Sequence, residues 1–200
     1  MWGSKKFKPL SIALLLLIAC LLVGCSGSAD DLISVSEIME RENVSDTYSV
    51  LLERAKVVRV IDGDTAVMEV ISPMLPEKEI GIEERVRFIG INTPESTTRH
   101  EPYGEEASEF TKKALAGKMV YLEKDVSNRD RYDRLLRYVW LEEPKTGSEE
   151  EIRTKMFNAI LVLEGYAQAA TYPPDVKYSD YFVQFQKEAR SQNLGLWGLD

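Results

Sequence analysis

The sequence predicts an α+β fold in which a small five-stranded β-barrel is combined with about three helices. Five short segments alternate between apolar and polar residues and are rich in β-branched side chains, which is the pattern of strands with a period of two. Three other segments space their apolar residues as helices do, and two of these come late in the chain. Short strands with helices inserted late are typical of an α+β domain built around a small barrel.

The five predicted strands are residues 55–61, 65–70, 85–91, 119–123 and 136–140. The first two flank Asp62, Gly63 and Asp64, and an Asp-Gly pair between apolar runs is a strong hairpin signal. In the third strand, Val86 and Phe88 are predicted to share one face. The local pattern favours D-G-D as a simple turn, and it leaves open whether these carboxylates also belong to a site.

Helices are predicted for residues 103–117, 156–164 and 181–192. The first of them has small and apolar residues on one face, and Gly117 is a suitable C-terminal stop. The five-stranded barrel that commonly handles oligonucleotides is the OB-fold. The predicted architecture is therefore a five-stranded OB-fold β-barrel with about three helices.

The N-terminus has the features of an export signal. Three lysines precede an apolar run over residues 10–23, which is shorter than the ~20 residues that a membrane-spanning helix needs and has the charge order of a secretory leader. The run ends in L-V-G-C at Cys25 and continues as S-G-S, which resembles a lipobox whose cysteine is lipidated. Residues 1–24 are therefore predicted to be a lipoprotein signal peptide. The alternatives are a leader cut elsewhere and an uncleaved anchor.

The mature protein is predicted to be an acidic domain on a tether, held to the outer face of the bacterial cell membrane. Cys20 lies inside the leader, so a lipidated Cys25 leaves no thiol for a disulfide. Residues 25–50 are polar and acidic and predict the tether, and residues 51–200 have the size of one domain. The chain has a formal charge of −8, which is unfavourable for nonspecific nucleic-acid binding unless basic groups are concentrated locally or a metal helps.

Polar residues follow the third strand. Pro94 disfavours helix at Thr93 and should end the strand, which places Asn92, Thr93 and Glu95 where a strand opens into a loop, a usual position for functional groups. Arg87 lies within the strand, where an arginine is costly unless it is paired. These residues indicate a site; the alternatives are an ion-paired barrel arginine and an ordinary polar turn.

The segment R-D-R-Y-D-R-L-L-R-Y-V-W concentrates arginines in an acidic chain. Arg131, Arg134 and Arg137 are interleaved with Tyr132 and Tyr138. Guanidinium groups bind phosphate in a bidentate manner, and tyrosines stack on bases or bind phosphate oxygens. The segment therefore indicates an anion site, with a solvated basic turn as the alternative.

These segments, in this order, resemble the staphylococcal nuclease (thermonuclease) family. The resemblance is carried by V-I-D-G-D-T, R-F-I-G-I-N-T-P-E, Y-G-E-E-A-S-E-F-T-K-K and D-R-Y-D-R-L-L-R-Y-V-W, and further on by N-A-I-L-V-L-E-G-Y-A and L-G-L-W. It covers nearly all of residues 56–198. It implies an exported, calcium-dependent phosphodiesterase on an OB-fold that cuts single- and double-stranded DNA and RNA and leaves 3′-phosphate ends. It implies a monomer and no protein partner.

The resemblance also implies roles for the acidic corner. Asp64 matches the carboxylate that binds calcium, whereas Asp62 matches a nearby carboxylate that is not a principal ligand. Asn92 falls on a second ligand position that is normally Asp, and Thr93 matches a residue that contributes its backbone carbonyl. Glu95 matches the proposed general base, which also holds a metal-bound water.

The same resemblance assigns the basic and aromatic residues. Arg87 and Arg134 match the two catalytic arginines, and Arg131 falls where a lysine lies near a substrate phosphate. Tyr132 matches a phosphate-contacting tyrosine. Tyr172 is a looser match to a tyrosine beside the nucleotide, because the alignment shifts by about one residue there.

Two departures and one alternative function remain. Asn92 removes a charge from the implied metal site, and Asp133 stands where glycine is usual, although Asp tolerates a positive φ better than most residues. The alternative to an enzyme is a surface-tethered nucleic-acid-binding module with a weakened site. His100 is interpreted as solvated, and Trp140 and Trp197 as packing residues.

Overall fold

The structure is a computed structural model that describes residues 52–71, 81–97 and 99–199. Its strands are β1 (Leu52–Asp62), β2 (Thr65–Val70), β3 (Glu83–Phe88), β4 (Ile91–Asn92), β5 (Met119–Glu123), β6 (Leu135–Trp140) and β7 (Gln168–Ala169). Its α-helices are α1 (Gly104–Leu115), α2 (Glu149–Lys155), α3 (Phe157–Leu163) and α4 (Ser179–Ser191), and a 3-10 turn covers Gly195–Gly198.

Five of the strands form a closed barrel in the order β1-β2-β3-β6-β5. Neighbouring strands are antiparallel except β3 and β6, which run parallel, with Val86 opposite Leu135. This parallel pair brings β6 beside β3, although a helix and two strands, β4 and β5, separate them in the chain. The predicted α+β fold with a five-stranded OB-type barrel is therefore confirmed.

The core fills the barrel and continues between the barrel and the C-terminal helices. On α1 the residues Ala107, Thr111 and Leu115 are buried, which is the face that the sequence predicted. Phe182 and Phe185 of α4 are also fully buried. A closed barrel has no edge strand whose unpaired backbone groups could pair with another chain. Polar residues can therefore be placed at the end of the barrel without creating such an edge.

The helix α2 was not predicted. Its seven residues, E-E-E-I-R-T-K, contain one large apolar side chain, so they show no apolar periodicity. The Ser148 side chain accepts a hydrogen bond from the Glu151 N–H at 3.4 Å, and this S-x-x-E spacing is the sequence signature of a helix N-terminus. The helix could have been predicted from this capping motif but not from apolar periodicity.

The predicted strand 85–91 is interrupted. It ends at Phe88, and Gly90 has a φ of 79°, a left-handed conformation that favours glycine. A Cβ at this position would lie 2.5 Å from the Phe182 ring. The chain resumes as β4, which pairs with β7 in a separate two-stranded sheet. This bend turns Asn92 and the following loop towards the end of the barrel.

The predicted signal peptide, the tether over residues 25–50 and the lipidation site Cys25 lie outside the described residues. Within the described residues, no helix has the length and apolar character needed to cross a bilayer.

Candidate active site

The D-G-D sequence forms the tip of the β1–β2 hairpin and packs against the loop after β4. Asp62 pairs with Thr65 across the hairpin. The Asp62 Oδ1 accepts hydrogen bonds from the Gly63 N–H at 2.9 Å and the Ser96 hydroxyl at 2.7 Å. A Cβ on Gly63 would lie 2.7 Å from the Thr93 side chain. Only glycine at position 63 lets the turn approach Thr93 this closely. D-G-D is therefore both the hairpin turn and a part of the candidate site.

Asp64 is the buried centre of this corner. Its Oδ1 accepts from the Thr65 hydroxyl at 3.0 Å, and its Oδ2 accepts from the Thr93 N–H at 3.0 Å. The same Oδ2 lies 2.6 Å from Arg87 Nη1, and Arg87 Nη2 donates to the Asn92 amide oxygen at 3.1 Å. Burial lowers the pKa of Arg87, and the Asp64 carboxylate opposes that shift. The strand arginine is thus paired, as its position required.

Glu95 is held at the edge of the corner by short-range hydrogen bonds. Its Oε1 accepts from the Thr97 N–H at 3.3 Å and from the Thr97 hydroxyl. Its main chain is tied twice to Glu101, through the Glu95 N–H to Oε2 at 3.0 Å and the Glu101 N–H to the Glu95 carbonyl at 2.8 Å. Burial raises the pKa of Asp62, and the nearby Glu95 carboxylate raises it further, whereas the hydrogen bond from Ser96 opposes the shift. Negative charge is therefore concentrated here.

Arg134 is positioned by a tight turn before β6. Its backbone N–H and Nε donate to Asp130 at 3.0 and 2.8 Å. Burial raises the pKa of Asp130, but the hydrogen bonds from Arg134 outweigh this and hold it below its usual value. The Tyr132 ring lies under both guanidinium groups, 4.7 Å from Arg131 and 5.4 Å from Arg134. Asp133 has a φ of 61°, so the turn survives the loss of glycine.

Three further residues fix this turn against the barrel, and sequence reasoning missed them. Arg129 donates two hydrogen bonds to Glu84 on β3, at 2.7 and 2.9 Å. Arg85 Nη2 donates to the Tyr132 carbonyl at 2.9 Å. These contacts join segments that are distant in the chain, so only the pairing of β3 with β6 could have revealed them.

The candidate residues line two adjoining clefts. The acidic cleft, of about 350 Å³, is lined by Asp62, Asp64, Arg87, Asn92, Thr93, Glu95 and Arg134, among others. The aromatic cleft, of about 650 Å³, is lined by Arg87, Arg131, Tyr132, Arg134, Tyr172 and the Pro173-Pro174 pair, among others. Arg87 and Arg134 line both. An anion at the junction could therefore contact both guanidinium groups while its two sides extend into different clefts.

Comparison with known proteins identifies the family of this chain. The family model for "Staphylococcal nuclease homologue" matches residues 85–198. The "Thermonuclease" of Staphylococcus intermedius is 44% identical over 142 residues, which cover 70% of this chain and 73% of the relative. The chain belongs to the staphylococcal nuclease family. The "Thermonuclease" of Staphylococcus hyicus is 41% identical over 145 residues, which cover 71% and 74% of the two chains. The "Micrococcal nuclease" of Shigella flexneri is 34% identical over 149 residues, covering 72% and 73%.

Burial separates the arginines that the sequence had grouped together. Arg134 lines both clefts, but Arg137, which the sequence grouped with it, is fully buried. Arg137 Nε lies 2.6 Å from Glu53 Oε2, so this arginine supports the barrel and is not part of an anion site. The sequence interpretation of Arg137 was wrong because β6 directs its side chain inward.

The remaining interpretations concern His100 and two tryptophans. His100 is exposed, with 68% of its side chain accessible. Trp140 is fully buried and donates to Glu123 at 2.8 Å. The Trp197 ring packs under Arg190, whose Cζ lies 4.0 Å from its centroid. All three residues are where the sequence placed them, outside the residues that line the two clefts.

The acidic cleft is lined by residues with oxygen atoms of the kind that bind hard cations. No group of three or more His, Cys, Asp or Glu side chains among the described residues is arranged to hold a metal ion. The cleft is lined instead by the carboxylate residues Asp64 and Glu95, by Asn92 with its amide, and by Thr93. Asp64 and Thr93 are buried, and the Asp64 carboxylate is hydrogen-bonded in place. Such oxygen-only donors suit calcium rather than a thiolate- or imidazole-binding metal.

Proposed function

We propose that the protein is a calcium-dependent nuclease that hydrolyses DNA and RNA to products with 3′-phosphate ends. As a member of the staphylococcal nuclease family with relatives named thermonuclease and micrococcal nuclease, it is a phosphodiester hydrolase. The observation that carries the finer proposal is the convergence of Arg87 and Arg134 at the junction of the clefts, beside the oxygen donors of the acidic cleft.

The two arginines supply the positive charge that phosphodiester cleavage requires. Negative charge grows on the phosphoryl oxygens and the leaving oxygen, and fixed donors aimed at that charge lower the barrier. Arg87 is held by Asp64 and Asn92, and Arg134 is held by Asp130. Because both groups are oriented before substrate arrives, little reorganisation is needed when the charge develops.

Glu95 is the group placed to handle water. A carboxylate within hydrogen-bonding reach of a water can orient it or accept its proton. The two contacts from Thr97 and the main-chain ties to Glu101 fix the Glu95 carboxylate at the rim of the acidic cleft. A calcium ion held by Asp64, Asn92 and the Thr93 carbonyl would, when bound, offset phosphate charge and help to orient the substrate.

Calcium dependence is tested with the purified protein and single-stranded DNA. We expect cleavage with calcium, none in excess chelator, and recovery when calcium is restored. The 3′-phosphate is tested by asking whether the products prime a polymerase only after phosphatase treatment. Full activity in excess chelator would contradict the metal assignment. DNA binding without cleavage in calcium would instead favour the alternative function, a nucleic-acid-binding module.

The Asn92→Asp variant serves as a matched probe of the same site. A carboxylate in place of the amide adds a charged ligand, and calcium affinity rises with the number of charged ligands. We therefore expect half-maximal activity at a lower calcium concentration than in the parent, measured at one ionic strength with saturating DNA. An unchanged or higher requirement would mean that Asn92 does not contact the ion.

We also propose that the nuclease is tethered outside the cytoplasmic membrane by lipid on Cys25. This rests on the apolar leader and the L-V-G-C sequence, and a diacyl anchor is implied because one acyl chain binds a membrane only weakly. The Cys25→Ala protein should leave the membrane fraction or accumulate as an unprocessed precursor, as followed by cell fractionation and lipid labelling. Lipid label that persists in this variant would refute the proposal.

A further inference from the structure

The outer face of β1 carries a strip of basic side chains that the cleft chemistry does not use. Along β1 the buried residues alternate with Arg54 and Lys56, which are exposed, and Arg59 is exposed farther along the same strand. Lys118 joins them, because the Val57 N–H donates to the Lys118 carbonyl at 2.9 Å and Lys118 is exposed. These four residues are called the basic strip.

The charges of the basic strip are not neutralised by ion pairs with other described residues. None of its four members forms an ion pair with another described residue, whereas Arg87, Arg129, Arg134 and Arg137 each do. The acidic side chain in register with the strip is Glu69, opposite Lys56, and no ion pair joins these two. A chain with a formal charge of −8 thus displays uncompensated positive charge along one strand.

The side chains that lie among the cations of the basic strip indicate which ligand it binds. Val58 and Met119 are 42% and 40% exposed within the strip, and the half-buried Tyr121 lies opposite Arg54. Alternate residues of a strand are about 7 Å apart, so Arg54 and Lys56 form a regularly spaced pair. Proteins that bind single-stranded nucleic acid commonly combine cations, which contact the phosphates, with aromatic side chains, on which the bases stack.

The position of the strip connects it to the clefts. The same strand supplies Ile61 and Asp62 to the acidic cleft, and Arg59 lies only about 10 Å along the strand from Asp62. Lys56 lies about 20 Å from Asp62. A polynucleotide that occupies the acidic cleft can therefore continue along β1, whereas a dinucleotide bound in the clefts cannot reach Arg54 or Lys56.

We propose that the basic strip is a second contact surface for the polynucleotide substrate, outside the clefts, which holds long single strands while the clefts act on one bond. The inference rests on the proposed nuclease function for its purpose but not for its test. Each phosphate contact adds about 0.7 to the salt dependence of single-strand binding, so the strip has a measurable signature that does not require cleavage.

The test compares two charge-matched variants of the full chain. Arg54→Gln/Lys56→Gln removes two cations from the strip, and Lys145→Gln/Lys187→Gln removes two exposed cations elsewhere. Binding of a fluorescent 30-nucleotide single strand is measured in excess chelator over a range of salt concentrations. For the strip variant we expect a slope of log Kd against log salt that is smaller by about 1.4. A fourfold rise in salt should therefore weaken binding by the parent about sevenfold more than binding by the strip variant. The control variant should bind as the parent does.

Three further readouts decide the interpretation. The kcat/KM for a dinucleotide in calcium should equal that of the parent, and thermal melting should show that both variants are folded. Parent-like affinity and salt slope for the strip variant would overturn the proposal. The proposal would also be overturned if the strip variant bound DNA as the parent does but bound phosphatidylglycerol vesicles more weakly, because the strip would then face a membrane. A parent that cuts no single-stranded DNA in calcium would refute the nuclease proposal alone, since DNA binding is measured separately.

Discussion

Replacing Arg134 or Arg87 with alanine should lower kcat by about 100- to 1,000-fold, the usual loss for one charge contact made in the transition state. Both guanidinium groups line the acidic and the aromatic cleft, so both can contact a phosphate at their junction. The measurement is kcat and KM on single-stranded DNA, with the melting temperature of each variant as a check on folding.

The two variants differ in what else they remove. Arg87→Ala also leaves the buried Asp64 carboxylate without its partner at 2.6 Å, whereas Arg134→Ala releases Asp130 at the surface of the turn. Arg153→Ala is the matched control, because it removes the same charge and breaks ion pairs with Glu149 and Glu188 away from both clefts. Parent-like cleavage by Arg134→Ala with normal melting would show that Arg134 is not a catalytic group.

The second large effect should be on stability, at the buried pair of Arg137 and Glu53. Arg137 is fully buried and Glu53 nearly so, and two of their atom pairs lie 2.6 and 3.1 Å apart. Arg137 also donates to the Asn128 side chain at 2.9 Å. Arg137→Met leaves a buried carboxylate without its partner, so it should lower the free energy of unfolding by about 3–5 kcal/mol. Urea denaturation measures this change as a shift of the midpoint.

A double variant separates the pair from the space it fills. In Arg137→Met/Glu53→Met neither charge is buried, and replacement of a buried ion pair by apolar residues of similar volume is often close to neutral. We therefore expect most of the lost stability to return. Arg137→Met with parent-like stability would contradict the assignment, as would a double variant that is less stable than the single one.

The parts of the structure that the sequence predicted are those with a local signature. The period of two revealed the barrel strands, and the D-G-D turn was visible between β1 and β2. The helix α2 escaped because it has a cap but no apolar periodicity, and the break at Gly90 escaped because it depends on the Phe182 ring from a distant helix.

For the candidate site, the motifs and their order along the chain identified residues that line the two clefts in the structure. The sequence did not reveal the contacts that hold the turn before β6 against the barrel. Arg134 and Arg137 are the same residue type three positions apart, and only the direction of β6 makes one line a cleft and the other support the core. Glu84 and Arg129 meet because β3 and β6 are neighbours in the barrel. No local pattern contains that pairing, so their roles as supports of the loop could not be predicted.

The parallel pairing of β3 with β6 has a consequence for the chain while it folds. Val86 and Leu135 are separated in the chain by β4, α1 and β5, and their pairing brings Arg87 and Arg134 to one junction. Contacts between distant segments form late, because loop closure must be offset before they contribute. In a newly made or partly unfolded chain, Arg87 and Arg134 are therefore not yet close together. The ability to cut nucleic acid should switch on with barrel closure, so an incompletely folded molecule is harmless to the nucleic acid around it.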